Sequence, residues 1–164
     1  MDFFKQHFTP EELLEGKLFL INKPLGWTSF QVVNKLRWHL KNLSGLKKIK
    51  VGHAGTLDPL ATGLLLICTG KKTKSISTLQ ETEKEYTGTF LMGATTPSYD
   101  LETSIDQTFD TKLLTEEIIL KTTIKFTGEI LQYPPVFSAL KKNGKRLYEY
   151  ARAGEDPEIT PRTV

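Results

Sequence analysis

The chain has 164 residues, 38% of them apolar and 25% charged, a balance that fits one globular domain with its own core and excludes an intrinsically disordered segment. Its formal net charge is only +3, from 22 Lys and Arg against 19 Asp and Glu. One cysteine excludes an internal disulfide, three scattered histidines without a Cys-x-x-Cys pair exclude a metal site of ordinary spacing, and no stretch is long and apolar enough to cross a bilayer.

The N-terminal residues lack the apolar run of a signal peptide, so a reducing, cytoplasmic setting is expected. Thr9-Pro10-Glu11-Glu12 predicts a helix start, with Thr9 as cap, Pro10 at the first helical position and Glu12 closing a capping box; Gly16 ends it. Residues 17–22 (KLFLIN) predict a short apolar strand, followed by a turn at Lys23-Pro24-Leu25-Gly26. Thr28 or Ser29 can cap the next helix, which carries Phe30, Val33, Leu36 and Leu40 on one face. Residues 42–48 form a polar, glycine-containing loop, and Ile49 to Val51 starts a second strand. The loop from Gly52 to Pro59 precedes a fully buried strand, Leu64 to Cys68, in which Cys68 is an inert buried thiol.

Lys84 to Met92 alternates as a longer strand. Thr115-Glu116-Glu117 opens another helix, with acids in the first turn where they suit the dipole, and Gly128 ends it. Val136 to Lys142 reads as a strand entering a tight turn at Asn143-Gly144, and Leu147 to Arg152 as a short helix stopped near Gly154. Trp27 and Trp38 are expected in the core. No repeat or linker divides the chain, so residues 1–164 are taken as a single domain, one that breaks off where a new strand starts at Thr160-Pro161-Arg162-Thr163-Val164.

Charge is unevenly placed. Asp58 is the only carboxylate between Gly16 and Gln80, a window that holds eleven of the 22 basic residues. Positive surroundings favour an ionised carboxylate, an ionised carboxylate can act as a nucleophile, and a basic surface attracts a phosphate backbone. Taken alone, a charge block is equally a solvated face, and Asp58 followed by Pro59 is equally the cap of a helical turn. Glycines at 52, 55 and 63 let the backbone around Asp58 bend tightly and approach a ligand.

The segment GHAGTLDPLATGLL, starting at Gly52, resembles the catalytic motif of the TruB family of tRNA pseudouridine synthases. Leu20 to Ser29 (LINKPLGWTS) resembles that family's N-terminal motif, Lys84-Glu85-Tyr86 with Leu91-Met92-Gly93 its second motif, and Gln132 to Arg152 a further block. The resemblance implies an α+β pseudouridine-synthase fold, a mixed and mostly antiparallel sheet flanked by helices, here truncated. It also implies conversion of uridine to pseudouridine at position 55 in the T-loop of tRNA, without cofactor, metal or obligatory protein partner.

By the same resemblance Asp58 is the nucleophile. His53 helps hold open the stack from which the nucleotide is flipped, Tyr86 packs on the flipped uracil, and Lys23 lies beside the active site. Read without the resemblance, His53 is a backbone-bonded loop histidine, Tyr86 a core strand tyrosine and Lys23 a solvated turn residue. Lys141, Lys142, Lys145 and Arg146 surround the Asn143-Gly144 turn and serve either as contacts to RNA phosphates or as guards of an exposed hairpin. Asp100 departs from the family's pattern and is given no role. The family's arginine partner for the aspartate finds no match in these residues, so the 164-residue chain alone is expected to be weakly active or inactive. The alternatives are a guide-RNA-dependent synthase and a tRNA-binding or folding module without catalysis.

Overall fold

The computed structural model describes residues 8–138 and 140–164, and it divides into two compact units, one ending at Thr87 and one running from Gly88 to Val164. Both are built of short helices and antiparallel ladders, an α+β architecture.

The first unit starts with α1 (Pro10–Glu15), whose capping box closes in both directions: the Glu12 amide donates to Thr9 Oγ1 at 3.2 Å and the Thr9 amide to Glu12 Oε2 at 3.0 Å. Strand β1 (Leu18–Lys23) follows, one residue later than the sequence predicts and including Lys23. Helix α2 (Ser29–Ser44) is capped by Thr28, again with a two-way box, here with Gln31. It runs through the expected loop at 42–44 and stops at Gly45, which takes the left-handed conformation that ends helices. Thr28→Ala removes the acceptor of the Gln31 amide. It is expected to lower stability by about 1 kcal/mol, read as an earlier denaturant midpoint at unchanged slope.

Strands β2 (Val51–Ala54) and β3 (Gly63–Thr69) complete a three-stranded sheet in the order β1-β3-β2, with β3 central. Phe19 pairs with Ile67 and Ile21 with Leu65 across β1 and β3, and Val51 pairs with Thr69 across β2 and β3. Side chains alternate across a strand, so this register turns Phe19, Ile21, Val51, Leu65 and Ile67 to one face. That face joins Leu13 of α1 and Val32, Val33, Leu36 and Leu40 of α2 in the core. Phe8 meets Phe19 edge to face at 5.4 Å between centroids. Cys68 is fully buried, and burial pushes its thiol above the usual range. A 3-10 stretch (Gly70–Ser75) and α3 (Ile76–Gln80), neither foreseen, close the unit.

Several sequence expectations are corrected here. Phe30 is exposed, because α2 buries Val32 beside Val33 and so turns its apolar stripe away from position 30. Trp27 and Trp38 are also exposed rather than core; Trp38 instead lies under the ammonium of Lys35, 5.3 Å from the ring centroid. Leu64 is exposed because alternation sends it, with Leu20, to the sheet face opposite the core. The expected strand at 84–92 is absent. A strand persists through hydrogen bonds to a neighbour, and no described residue pairs with this segment.

The second unit contains the short ladders β4 (Ala94–Thr95) with β5 (Gln107–Thr108), and β6 (Leu131–Gln132) with β9 (Arg162–Thr163). Helix α4 (Glu116–Thr123) is capped by Thr115 as expected, but buries none of its residues. The expected strand from Val136 to Lys142 is reduced to β7 (Lys141–Lys142), since residues 136–138 bend; Ala139 lies outside the described residues. β7 turns back into β8 (Lys145–Arg146) through Asn143 (φ 52°) and Gly144 (φ 82°). Both central residues adopt the positive φ that a tight hairpin requires, as that dipeptide predicts. Helix α5 (Leu147–Arg152) follows directly.

Candidate active site

Asp58 sits in the loop that joins β2 to β3, residues 55–62. This connection links two neighbouring antiparallel strands, so it must reverse direction, and Asp58 stands at the reversal. Its carbonyl accepts the Ala61 amide at 3.0 Å, which makes Asp58-Pro59-Leu60-Ala61 a β-turn with proline at the favoured second position. Gly55, at φ 86°, lets the chain leave β2 in a conformation that a larger residue resists.

The turn is tied on both flanks to one other segment, residues 23–29. On the far side of Asp58, the Pro59 carbonyl accepts from the Gly26 amide at 2.8 Å and from the Lys23 ammonium at 3.5 Å. On the near side, Ser29 Oγ accepts the Leu57 amide at 3.0 Å and donates to the Leu57 carbonyl at 3.2 Å. The main chain around Asp58 is thereby fixed while its side chain stays exposed. A cleft of about 660 Å³ adjoins it, lined by Thr56, Leu57 and Leu60 from the loop, by Leu64 and Leu66 from the open sheet face, and by Tyr86. The Asp58 side chain is therefore not packed away, and the cleft is lined by Leu57 and Leu60 on either side of it in the chain, though not by Asp58 itself.

Lys23 differs from both readings of its sequence position. It is fully buried at the end of β1, not a solvated turn residue. Its ammonium donates to the carbonyls of Trp27 at 2.6 Å and Pro24 at 3.1 Å in addition to Pro59. Loss of hydration drives its pKa below the usual lysine value, and the negative charge of Asp58 acts in the opposite direction.

His53 belongs to β2, opposite Ile67, and not to the loop; its Nδ1–H donates to the Gly55 carbonyl and braces the start of the turn. Tyr86 is largely exposed at the cleft, which corrects its reading as a core strand residue. In the second basic group, Lys145 is engaged by Glu155, at 2.9 and 3.0 Å to the two carboxylate oxygens, and lies 4.3 Å from the Tyr150 ring centroid. Lys142 donates to the Glu158 carbonyl, and the Arg146 guanidinium lies 5.9 Å from the Tyr148 ring. Lys142 and Lys145 are thus engaged within the protein, while Lys141 is exposed.

The basic field is also smaller in space than along the chain. Glu12 and Glu15 of α1 lie outside the window in which Asp58 is the only acid, but return to pair with Lys17 and Lys71, each at 2.7 Å. Lys17 holds the Glu12 carboxyl below its usual range, helped by the Thr9 amide. Arg37 is committed to Asn34 and the Val51 carbonyl. Sequence reasoning missed Ser29 as a partner of the loop; the one signal was a second hydroxyl beside a residue that already suffices as cap. Among the described residues, no group of three or more His, Cys, Asp or Glu could hold a metal ion, and no helix is long and apolar enough to cross a membrane.

Comparison with known proteins places the chain. Residues 41–164 match the sequence model of the TruB family pseudouridylate synthase (N terminal domain). The chain is 68% identical over 155 residues to tRNA pseudouridine synthase B of Flavobacterium johnsoniae, covering 94% of this chain and 68% of that protein. It is 55% identical over 150 residues to tRNA pseudouridine synthase B of Phocaeicola vulgatus and 54% identical over 150 residues to that of Bacteroides fragilis. These two alignments cover 92% of this chain and 64% of each relative. The chain thus spans about two thirds of the length of these relatives.

Proposed function

The chain belongs to the TruB family of pseudouridylate synthases, and on that premise we propose that the protein isomerises uridine to pseudouridine in tRNA, at position 55 of the T-loop, with Asp58 as nucleophile. Residues 1–164 form the N-terminal part of its catalytic domain. In the reaction the bond from uracil N1 to ribose C1′ breaks, the base rotates, a bond from C5 to C1′ forms, the hydrogen at C5 leaves as a proton, and N1 takes up a proton, so the product is an isomer of the substrate. No electron is gained or lost, so side chains suffice. The target atoms are hidden in a stacked RNA loop, so the nucleotide has to be everted into a pocket.

The observation that carries the reading is an exposed carboxylate, at a turn anchored on both flanks, beside a cleft that Tyr86 helps to line. Tyr86 supplies an aromatic face to the everted uracil, His53 braces the loop, and buried Lys23 supplies positive charge behind the turn. Lys141, Lys142, Lys145 and Arg146 are a secondary set of RNA backbone contacts. Tritium release from T-arm RNA labelled at uracil C5 tests the reading directly. RNA binding without release from any RNA would leave a non-catalytic tRNA-binding module.

Binding should be strongly salt-dependent, since each phosphate neutralised by lysine or arginine frees condensed counterions. The expected result is a loss of roughly tenfold or more in RNA affinity between about 50 and about 200 mM salt. Filter binding or fluorescence anisotropy across a salt series measures it, and a flat series counts against a backbone-contacting surface.

A further inference from the structure

The hydroxyl of Ser29 has a partner that its place in the helix does not require. It is the first residue of α2, but the cap is Thr28, whose Oγ1 accepts the Gln31 amide. Ser29 is therefore free of capping, and it is buried to 2% exposure in a chain whose serines could as easily face water. Its Oγ both accepts from the Leu57 amide and donates to the Leu57 carbonyl, at 3.0 and 3.2 Å. A hydroxyl has one proton to give and lone pairs to receive, so both ends of one peptide residue are held by one side chain. The two residues are 28 apart in sequence, so the bond is wholly tertiary. Leu57 immediately precedes Asp58 and is itself packed against the core.

We infer that Ser29 is a positioning residue: it clamps Leu57, whose own side of the turn lines the cleft, and so fixes the main chain that carries the Asp58 carboxylate. The inference rests on the proposed role of Asp58. Anchors at Pro59 restrain only the downstream side of the turn. Without the Ser29 clamp the Leu57 peptide is held only by the packing of its side chain on the core and by the His53 brace at Gly55, so its plane, and the carboxylate that follows it, are less restrained. A displacement near 1 Å at a reacting group can cost on the order of 10²-fold in rate.

The test uses the complete protein encoded by the reading frame that contains these residues, under single-turnover conditions with enzyme in excess over labelled T-arm RNA. Ser29→Ala should slow tritium release about 10- to 100-fold, with RNA affinity unchanged, and should speed hydrogen exchange at the Leu57 amide. Ser29→Thr, which keeps the hydroxyl, should recover part of the rate. A Ser29→Ala protein that releases tritium at the wild-type rate overturns the inference. So does a loss that only tracks the unfolded fraction, or Ala and Thr variants that are equally slow when equally folded. If the wild type itself releases no tritium, the proposed function fails instead, and Leu57 exchange judges the clamp alone: exchange unchanged by Ser29→Ala overturns it.

Discussion

Asp58→Asn is expected to reduce tritium release from T-arm RNA by on the order of 10³-fold or more, the scale on which loss of a covalent nucleophile acts in other enzymes. The substitution is nearly isosteric. The turn is held by main-chain bonds from the Ala61 amide to the Asp58 carbonyl and from the Gly26 amide to the Pro59 carbonyl, and by the Ser29 hydroxyl on Leu57; none of these involves the Asp58 side chain. Folding and RNA binding should therefore persist, with affinity equal or slightly tighter because one negative charge near the RNA is gone. A variant that still releases tritium at a tenth of the wild-type rate would remove Asp58 from the chemistry.

The second large effect is expected at Lys23. Lys23→Met keeps most of the buried stem and deletes the ammonium, so the Trp27, Pro24 and Pro59 carbonyls lose a shared donor. An unmet buried polar group costs about 1–3 kcal/mol, and the variant should unfold at correspondingly lower denaturant. Turnover should fall as well, because the Pro59 anchor and the positive charge behind Asp58 go together.

The pH dependence has a definite sign. The folded-state pKa of Lys23 lies below the ordinary value of 10.5. Between the lowered value and 10.5 the unfolded chain therefore binds more protons at this residue than the folded one. The contribution of Lys23 to stability accordingly rises with pH across that window and is smallest below it. Denaturant titrations of wild type and Lys23→Met over the alkaline range should show the wild type gaining on the variant as pH increases. A difference that is flat or falls with pH would contradict burial of the charged group.

Helix starts and the hairpin were legible because their determinants are local. Thr9 with Glu12 and Thr28 with Gln31 meet across three residues, and Asn143-Gly144 sets its own dihedral angles. The family was legible for a related reason, since its motifs are contiguous runs around Asn22, Asp58 and Tyr86. Alternation misled at 84–92, where the pattern is present but no partner strand supplies hydrogen bonds among the described residues. Helical periodicity misled at Phe30, because a stripe read from spacing has an uncertain edge and only packing chooses which border residue is buried.

The amino-acid order by itself determined that a lone aspartate would sit in a glycine- and proline-bent reversal between two apolar strands, because turn chemistry and strand length act within a few residues. Only the folded chain decided what surrounds it. Lys23 is drawn inside, Ser29 reaches across 28 positions to Leu57, and the acids of α1 fold back on Lys17 and Lys71. Those outcomes follow from the antiparallel register of β1 and β2 on β3, which brings residues 23–29 against residues 57–59. Contacts between distant segments depend on that register, and neither composition nor periodicity encodes it.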